Sequence, residues 1–381
     1  MLREVVGFNV LDKKTYMVKV SNGVISAIET DVDCRPNTFI CPGGVIDTQV
    51  NGYLGYDYSE LSFKPEHAEI IARALVKAGT FQQIATVVTR PQKTIVESID
   101  KIVKATHSSR FVARSITGIH VEGNFISRLD GPRGAHDINC VRPASIKEFD
   151  EWYEHAMGLL KYITIGAEAE GAIELIKHAV GRGVVVSIGH TGATASQIDA
   201  AVEAGATMST HLGNGVFSKL DRFNNPIWPQ LRNKGLTSGV IADLCHVDKD
   251  LLWIISRCKD SDHIILVSDL SQCAGMPLGR MMWGNVLVEV VEDGSVRLAG
   301  TDYLAGAGSQ LLRDVFNFIK STDYEICDAF KLATVNPARK YDLDIKRMKL
   351  EVGKPAEFIA FEKGDDNFKL KSVFFDGECV V

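Results

Sequence analysis

The sequence lacks any apolar run long enough to cross a membrane. Its most apolar stretches, VVVSIG (184–189) and HIILVS (263–268), are strand-length, short of the roughly 18 residues a spanning helix needs. The opening MLREVVGFNV has no charged segment leading into an apolar one with a small-residue cleavage site, so no export signal is expected. A basic surplus is missing too. Lys and Arg number 42 against 48 Asp and Glu, a net charge of −6, which argues against a nucleic-acid surface. The eight cysteines are scattered with no Cys-x-x-Cys pair; that argues against a disulfide framework or zinc knuckle and suits a reducing cytoplasm. Short-period repeats and low-complexity tracts are absent. With 45% hydrophobic and 24% charged residues, the chain reads as an ordinary soluble globular protein.

What is present is alternation. Residues 1–42 carry short β-like pieces, with Ser21-Asn22-Gly23 as a hairpin turn. After Cys41-Pro42-Gly43-Gly44, strands alternate with helices, which implies a parallel sheet. Eight strand candidates follow: 45–50, 81–88, 115–121, 162–166, 184–188, 206–210, 237–242 and 263–268. Eight closes a (β/α)₈ TIM barrel. Beyond it, 286–300 reads as a hairpin turning at Asp293-Gly294. Two helices come next, the second (325–341) stopping near Asn336-Pro337, and the tail returns to β. The expected architecture is α/β: a hydrolase barrel over 43–345, and a small discontinuous β-sandwich-like domain from 1–42 plus 346–381.

The stretch 184–215 organises the chemistry. A strand ends at His190, a helix covers about 194–204, and a second strand ends at His211. Parallel neighbours lie roughly 4.8 Å apart, so two imidazoles leaving equivalent tips reach one ion. The carboxyl ends of barrel strands carry the chemistry, and Glu122 ends the third strand in HVEG. One carboxylate with two imidazoles suits a single divalent cation, Zn²⁺ or Fe²⁺, and leaves a position for water. Asp269 ends strand eight, placed to take a proton from that water. His246, after strand seven, is a candidate to orient or polarise a substrate carbonyl. His136, in the glycine-rich GPRGAH loop, is a candidate for substrate hydroxyls. Gln49 and Asn51 end strand one, where a binuclear hydrolase would favour imidazoles; as weak amide ligands they read as a vacant second-metal position. Cys245 and Cys273 near the mouth are small core residues, metal ligands or oxidation sites. Five further histidines, at 67, 107, 155, 178 and 263, fall away from strand tips.

In order along the chain stand IDTQVNG, HVEG, SIGHTGAT, STHLGNG, IADLCHVD, VSDLSQCAG and LATVNPAR. This series resembles the amidohydrolase superfamily, and within it the N-acetylglucosamine-6-phosphate deacetylases, over roughly residues 40–360. The resemblance implies a homodimer and a divalent metal at Glu122, His190 and His211. It implies Asp269 as general base and then acid, and His246 at a substrate-contacting position. It departs from the family in the pocket: Gly213-Asn214-Gly215-Val216 replaces an aromatic-bearing pattern, and Arg222 continues as Phe223-Asn224-Asn225-Pro226. Leu270 replaces a small residue, and Asn124 a proline. Asn214, the Gly215 backbone and Leu304 are the remaining candidate substrate contacts, with Arg222 a candidate phosphate partner in its own or the neighbouring subunit of the dimer. The expected reaction removes the acetyl group from an N-acetylated amino sugar, N-acetylglucosamine-6-phosphate first. The alternatives are an unphosphorylated N-acetylhexosamine, another N-acyl compound, and a non-catalytic scaffold.

Overall fold

The computed structural model describes residues 2–35, 37–283, 286–292, 294–301 and 303–381. All eight expected barrel strands form, as Val45–Val50, Thr80–Val88, Ile116–Glu122, Leu160–Ile165, Val185–Ile188, Met208–Ser209, Thr237–Val240 and Ile264–Leu266. They pair in parallel, each with its neighbour in sequence. Their interiors are almost entirely buried, which is why they read as continuous apolar runs rather than alternating ones. The crossover between the two histidine strands is the helix Ala195–Glu203. Thr194 and Gln197 form a capping box at its start, and Ile198 and Ala201 are buried.

The seam between the last strand and the first is closed largely by a side chain. Among the described residues only a Val50–Leu270 bridge crosses it as ladder. Below it Asp47 accepts hydrogen bonds from the Ser268 (3.2 Å) and Gln49 (3.3 Å) amides, and its other oxygen meets the Ser268 hydroxyl. Burial pushes the Asp47 carboxyl up to about 7, the hydrogen bonds opposing it. The folded state therefore keeps a proton that the unfolded chain releases near pH 4. Its contribution to stability is full below about pH 4 and is lost as pH rises through about 7. Asp47→Asn is expected to flatten the stability–pH curve across that window, by up to about 1.4 kcal/mol per pH unit. Urea unfolding at a series of pH values reads this directly. A variant with the wild-type slope would remove Asp47 from the role.

Strands from both chain ends join in one seven-stranded sheet. In it Thr38–Pro42 pairs with Leu2–Asn9 on one side and Phe358–Lys363 on the other. Val18, Val20 and Ile25 share a buried cluster with Phe358, Ala360 and Phe374 from the opposite end, so the sheet curls on itself. Its other face, through Phe361, Phe368 and Phe375, packs into the core shared with barrel helices. The expected Asn-Gly turn is present: Asn22 and Gly23 both have positive φ (51° and 79°) between antiparallel strands.

Three readings need correction or completion. The segment 325–341 is two helices, Ile326–Leu332 and Val335–Lys340. Pro337 sits in the first turn of the second, where a missing N–H costs nothing, so it starts a helix rather than stopping one. The hairpin Val286–Val290 with Val296–Leu298 gains an outer strand, Gly279–Trp283. Of its expected turn, Asp293 lies outside the described residues.

Candidate metal centre and active site

Pairing register makes the two histidine tips equivalent. Ile188 is opposite Ser209, so His190 and His211 each stand two residues beyond a matched pair. Both leave their strands in the left-handed region, at φ 47° and 28°, as does Asp269 at 55°. Left-handed non-glycine residues are uncommon and strained, and they persist where surrounding structure holds them. Here they turn three strand-end side chains toward the barrel axis.

The functional atoms converge. His211 Nε2 lies 3.1 Å from Glu122 Oε1 and 3.1 Å from His190 Nε2, and His190 Nε2 is 3.5 Å from the same Glu122 oxygen. All three residues are buried, at 3%, 8% and 3% exposure for Glu122, His190 and His211. A four-coordinate first-row cation with bonds of about 2.0–2.1 Å sets its ligand atoms roughly 3.3 Å apart. The observed spacings match that edge, so the donor set fits such an ion. The His190 tautomer also fits. Its Nδ1 faces the Pro132 carbonyl at 2.9 Å, an acceptor only, so Nδ1 carries the proton and the Nε2 lone pair faces the cluster. Burial alone would raise the Glu122 carboxyl, but the two histidines outweigh it and hold it well below the usual range. Burial likewise disfavours charged His211, and Glu122 and Asp269 together more than reverse that.

Gln49 and Asn51 are engaged. Gln49 Nε2 reaches both Glu122 oxygens (3.2 and 3.1 Å) and Asp269 Oδ1 (3.0 Å), while Asn51 Nδ2 donates to Asp269 Oδ1 at 2.7 Å. The position read as a vacant metal site is thus filled by amide donors that tie the two carboxylates together. Asp269 is pushed up to about 6, by burial first and then by the Glu122 charge. Both amides bond Oδ1. Among the described residues Oδ2 has no hydrogen-bond partner.

His246 Nδ1 pairs with Asp243 at 2.7 Å. Burial of Asp243 is outweighed by that histidine and two backbone amides, which hold its carboxyl below the usual range. His246 lies near enough to Asp269 for its charge to oppose protonation there. His136 joins the cluster, its Nε2 3.2 Å from His190 Nε2, and burial drives its pKa well down. Glu122, His136 and His190 also fall within 4.8 Å of one another as potential ligands.

The remaining candidates divide. Asn214 folds back on the His211 carbonyl (3.3 Å). Gly215, with φ 59°, presses on the His190 ring: a Cβ there would lie 2.8 Å from Nδ1. Arg222 is exposed, its guanidinium 4.5 Å over the Phe223 ring; no hydrogen bond ties it to the cluster among the described residues. Leu304 bridges to Arg297 beside the three-stranded sheet. Cys273 is buried in an apolar cluster with Val288 and Val290, and Cys245 is exposed. Asn124, at φ 63°, donates to the Arg90 and Cys140 carbonyls and so ties two loops together.

Three participants escaped the sequence reading. Glu168 holds the turn after His190, accepting from the Gly192 amide (2.7 Å) and the Thr191 hydroxyl. Thr89 contacts His136 Nδ1 at 2.6 Å. His120 lies inside the barrel, stacked 3.7 Å from Tyr162 and bonded to Thr86 and Thr164. Burial lowers its pKa to about 3. The strand alternation His120-Val121-Glu122 places it on the face of Glu122, a signal that was available.

Several known proteins are similar over nearly the whole chain. The N-acetylgalactosamine-6-phosphate deacetylase of Escherichia coli O157:H7 is 29% identical over 353 residues, 92% of this chain and 91% of that one. The N-acetylglucosamine-6-phosphate deacetylase of Bacillus subtilis is 26% identical, covering 91% and 88%. Among solved structures, the N-acetylglucosamine-6-phosphate deacetylase of Thermotoga maritima superposes with a TM-score of 0.83 at 26% identity, covering 100% and 99%. A Mycobacterium smegmatis counterpart, a mutant in complex with N-acetyl-D-glucosamine-6-phosphate, gives 0.81 at 25%, covering 96% and 95%. The profile of the Amidohydrolase family matches residues 39–380, and to that family this chain belongs.

Proposed function

We propose that the protein is a metal-dependent deacetylase that hydrolyses the acetamide of a 6-phosphorylated N-acetyl amino sugar. The substrate is N-acetylglucosamine-6-phosphate, and the products are acetate and the free amine. One observation carries the reading: a buried carboxylate raised to about 6, Asp269, shares a hydrogen-bonded cluster with a Glu-His-His donor set. The names of the similar proteins support the substrate class.

Glu122, His190 and His211 would hold one divalent cation, zinc or iron(II), which when bound would supply Lewis acidity. Asp269 takes the proton from the attacking water at Oδ2 and delivers it to the departing nitrogen. Gln49 and Asn51 keep the other carboxylate oxygen fixed meanwhile. His246, whose Nδ1–H is held by Asp243, donates from Nε2 to the carbonyl oxygen as the imidazolium, its positive charge facing the negative charge that develops there.

The protein acts as a homodimer in which Arg222 serves the phosphate in the neighbouring subunit's pocket. Phe223 and Trp228, 77% and 46% exposed in the single chain, flank that arginine and suit burial in such an interface. Eight scattered cysteines with no Cys-x-x-Cys pair suit the cytoplasm. Among the described residues no helix is long and apolar enough to cross a membrane.

Acetate release tests the reading. N-acetylglucosamine-6-phosphate is expected to turn over at least tenfold faster, by kcat/KM, than unphosphorylated N-acetylglucosamine, a difference of about 1.4 kcal/mol or more. N-acetylgalactosamine-6-phosphate, assayed alongside, reads the epimer preference. Equal rates with and without phosphate would overturn the phosphate assignment. No acetate from any of the three would overturn the reading.

A further inference from the structure

Three imidazoles, not two, point Nε2 into the cluster: His136 lies 3.2 Å from His190, and His190 lies 3.1 Å from His211. Distance alone does not say which are ligands. For His190 and His136 the group on the far nitrogen does, because it fixes where the ring proton sits.

For His190 that group is the Pro132 carbonyl, which only accepts; the proton stays on Nδ1, and Nε2 is free to bind a cation. For His136 it is the Thr89 hydroxyl, 2.6 Å from Nδ1. Thr89 Oγ1 already accepts from the Asn124 amide at 3.0 Å. Among the described residues its own proton has one acceptor, His136 Nδ1. The hydroxyl therefore donates, and the ring proton of His136 moves to Nε2.

We propose that Thr89 is a positioning residue that sets His136 as an Nε2–H donor, keeping it out of the metal's ligand set and presenting it to an acceptor oxygen of the substrate. The hydroxyl is tightly housed. Thr89 is 1% exposed. A Cβ on Gly123, the residue after Glu122, would fall 1.8 Å from Thr89 Oγ1 and 2.9 Å from His136 Nδ1. Glycine at 123, with φ 103°, leaves room for the contact. The assignment separates two roles within one cluster of histidines: His190 and His211 bind the cation, and His136 binds the sugar.

The inference rests on the deacetylase reading for its substrate, and the test separates the two. Zinc-loaded protein with ¹⁵N-labelled histidine rings reports each tautomer by long-range ¹H–¹⁵N correlation, with His136→Asn identifying the signal. His136 is expected as the Nε2–H tautomer in the wild type and in Thr89→Ser, and as a mixture in Thr89→Val. Thr89→Val is expected to raise KM for N-acetylglucosamine-6-phosphate about tenfold, the weight of one hydrogen bond. Its kcat should stay within about threefold, and Thr89→Ser should restore KM. An Nδ1–H tautomer in the wild type overturns the proposal, whatever the substrate. So does a Thr89→Val protein with unchanged tautomer and KM. If the wild type releases no acetate, the substrate reading fails, and the tautomer still decides the role of Thr89.

Discussion

Asp269→Asn is expected to lower acetate release by about a thousandfold or more while metal content stays at the wild-type level. The size of the effect follows from two duties on one group: it takes a proton from water, then gives it to a poor leaving amine. Its surroundings suit both. Burial and the Glu122 charge raise it to about 6, so it is mostly ionised near pH 7 and strong enough as an acid once protonated. Gln49 and Asn51 occupy Oδ1 and orient Oδ2 toward the reacting atoms. Asparagine keeps the shape and can accept from Asn51, but cannot exchange a proton. Activity within tenfold of wild type would remove Asp269 from the role.

Glu122→Gln is expected to lose the cation and, with it, all but background turnover. Glu122 is the anionic member of the donor set, and its carboxylate is the common neighbour of His190, His211 and Gln49. A neutral amide is a weak ligand for a first-row cation. It would also bring an NH₂ group against the Gln49 NH₂, which now donates to both carboxylate oxygens. Two imidazoles alone hold such an ion poorly. Acetate release is expected to fall at least as far as in Asp269→Asn, but for a different reason: one protein has lost its ion, the other its proton carrier.

How much of this was legible in the sequence depends on how far each feature reaches along the chain. The barrel was legible because each strand announces itself locally, as a short apolar run followed by a helical period. The candidate ligands were legible because they sit at strand tips, a position that alternation locates to within a residue or two. His190 and His211 stand in one strand-helix-strand unit, so their meeting needed only the rule for parallel neighbours. Contacts between side chains on distant strands were not legible. Gln49 reaches Glu122 and Asp269, and Thr89 reaches His136, only because of the barrel's stagger, which periodicity does not encode. For the same reason Gln49 and Asn51 read as a gap in a metal site, when they grip the two carboxylates. His120 was passed over because a histidine in mid-strand looks like core until its neighbours are known. The left-handed backbone at His190, His211 and Asp269 leaves no trace in residue type, since a histidine there looks like any other.

The central claim is that Glu122 belongs to the metal and Asp269 to the proton. Elemental analysis of the wild type, Asp269→Asn and Glu122→Gln, purified side by side with the same divalent cation, tests it most directly. The expected ratios are about one ion per subunit for the first two proteins and close to none for the third. An ion retained by Glu122→Gln, or lost from Asp269→Asn, would contradict the assignment.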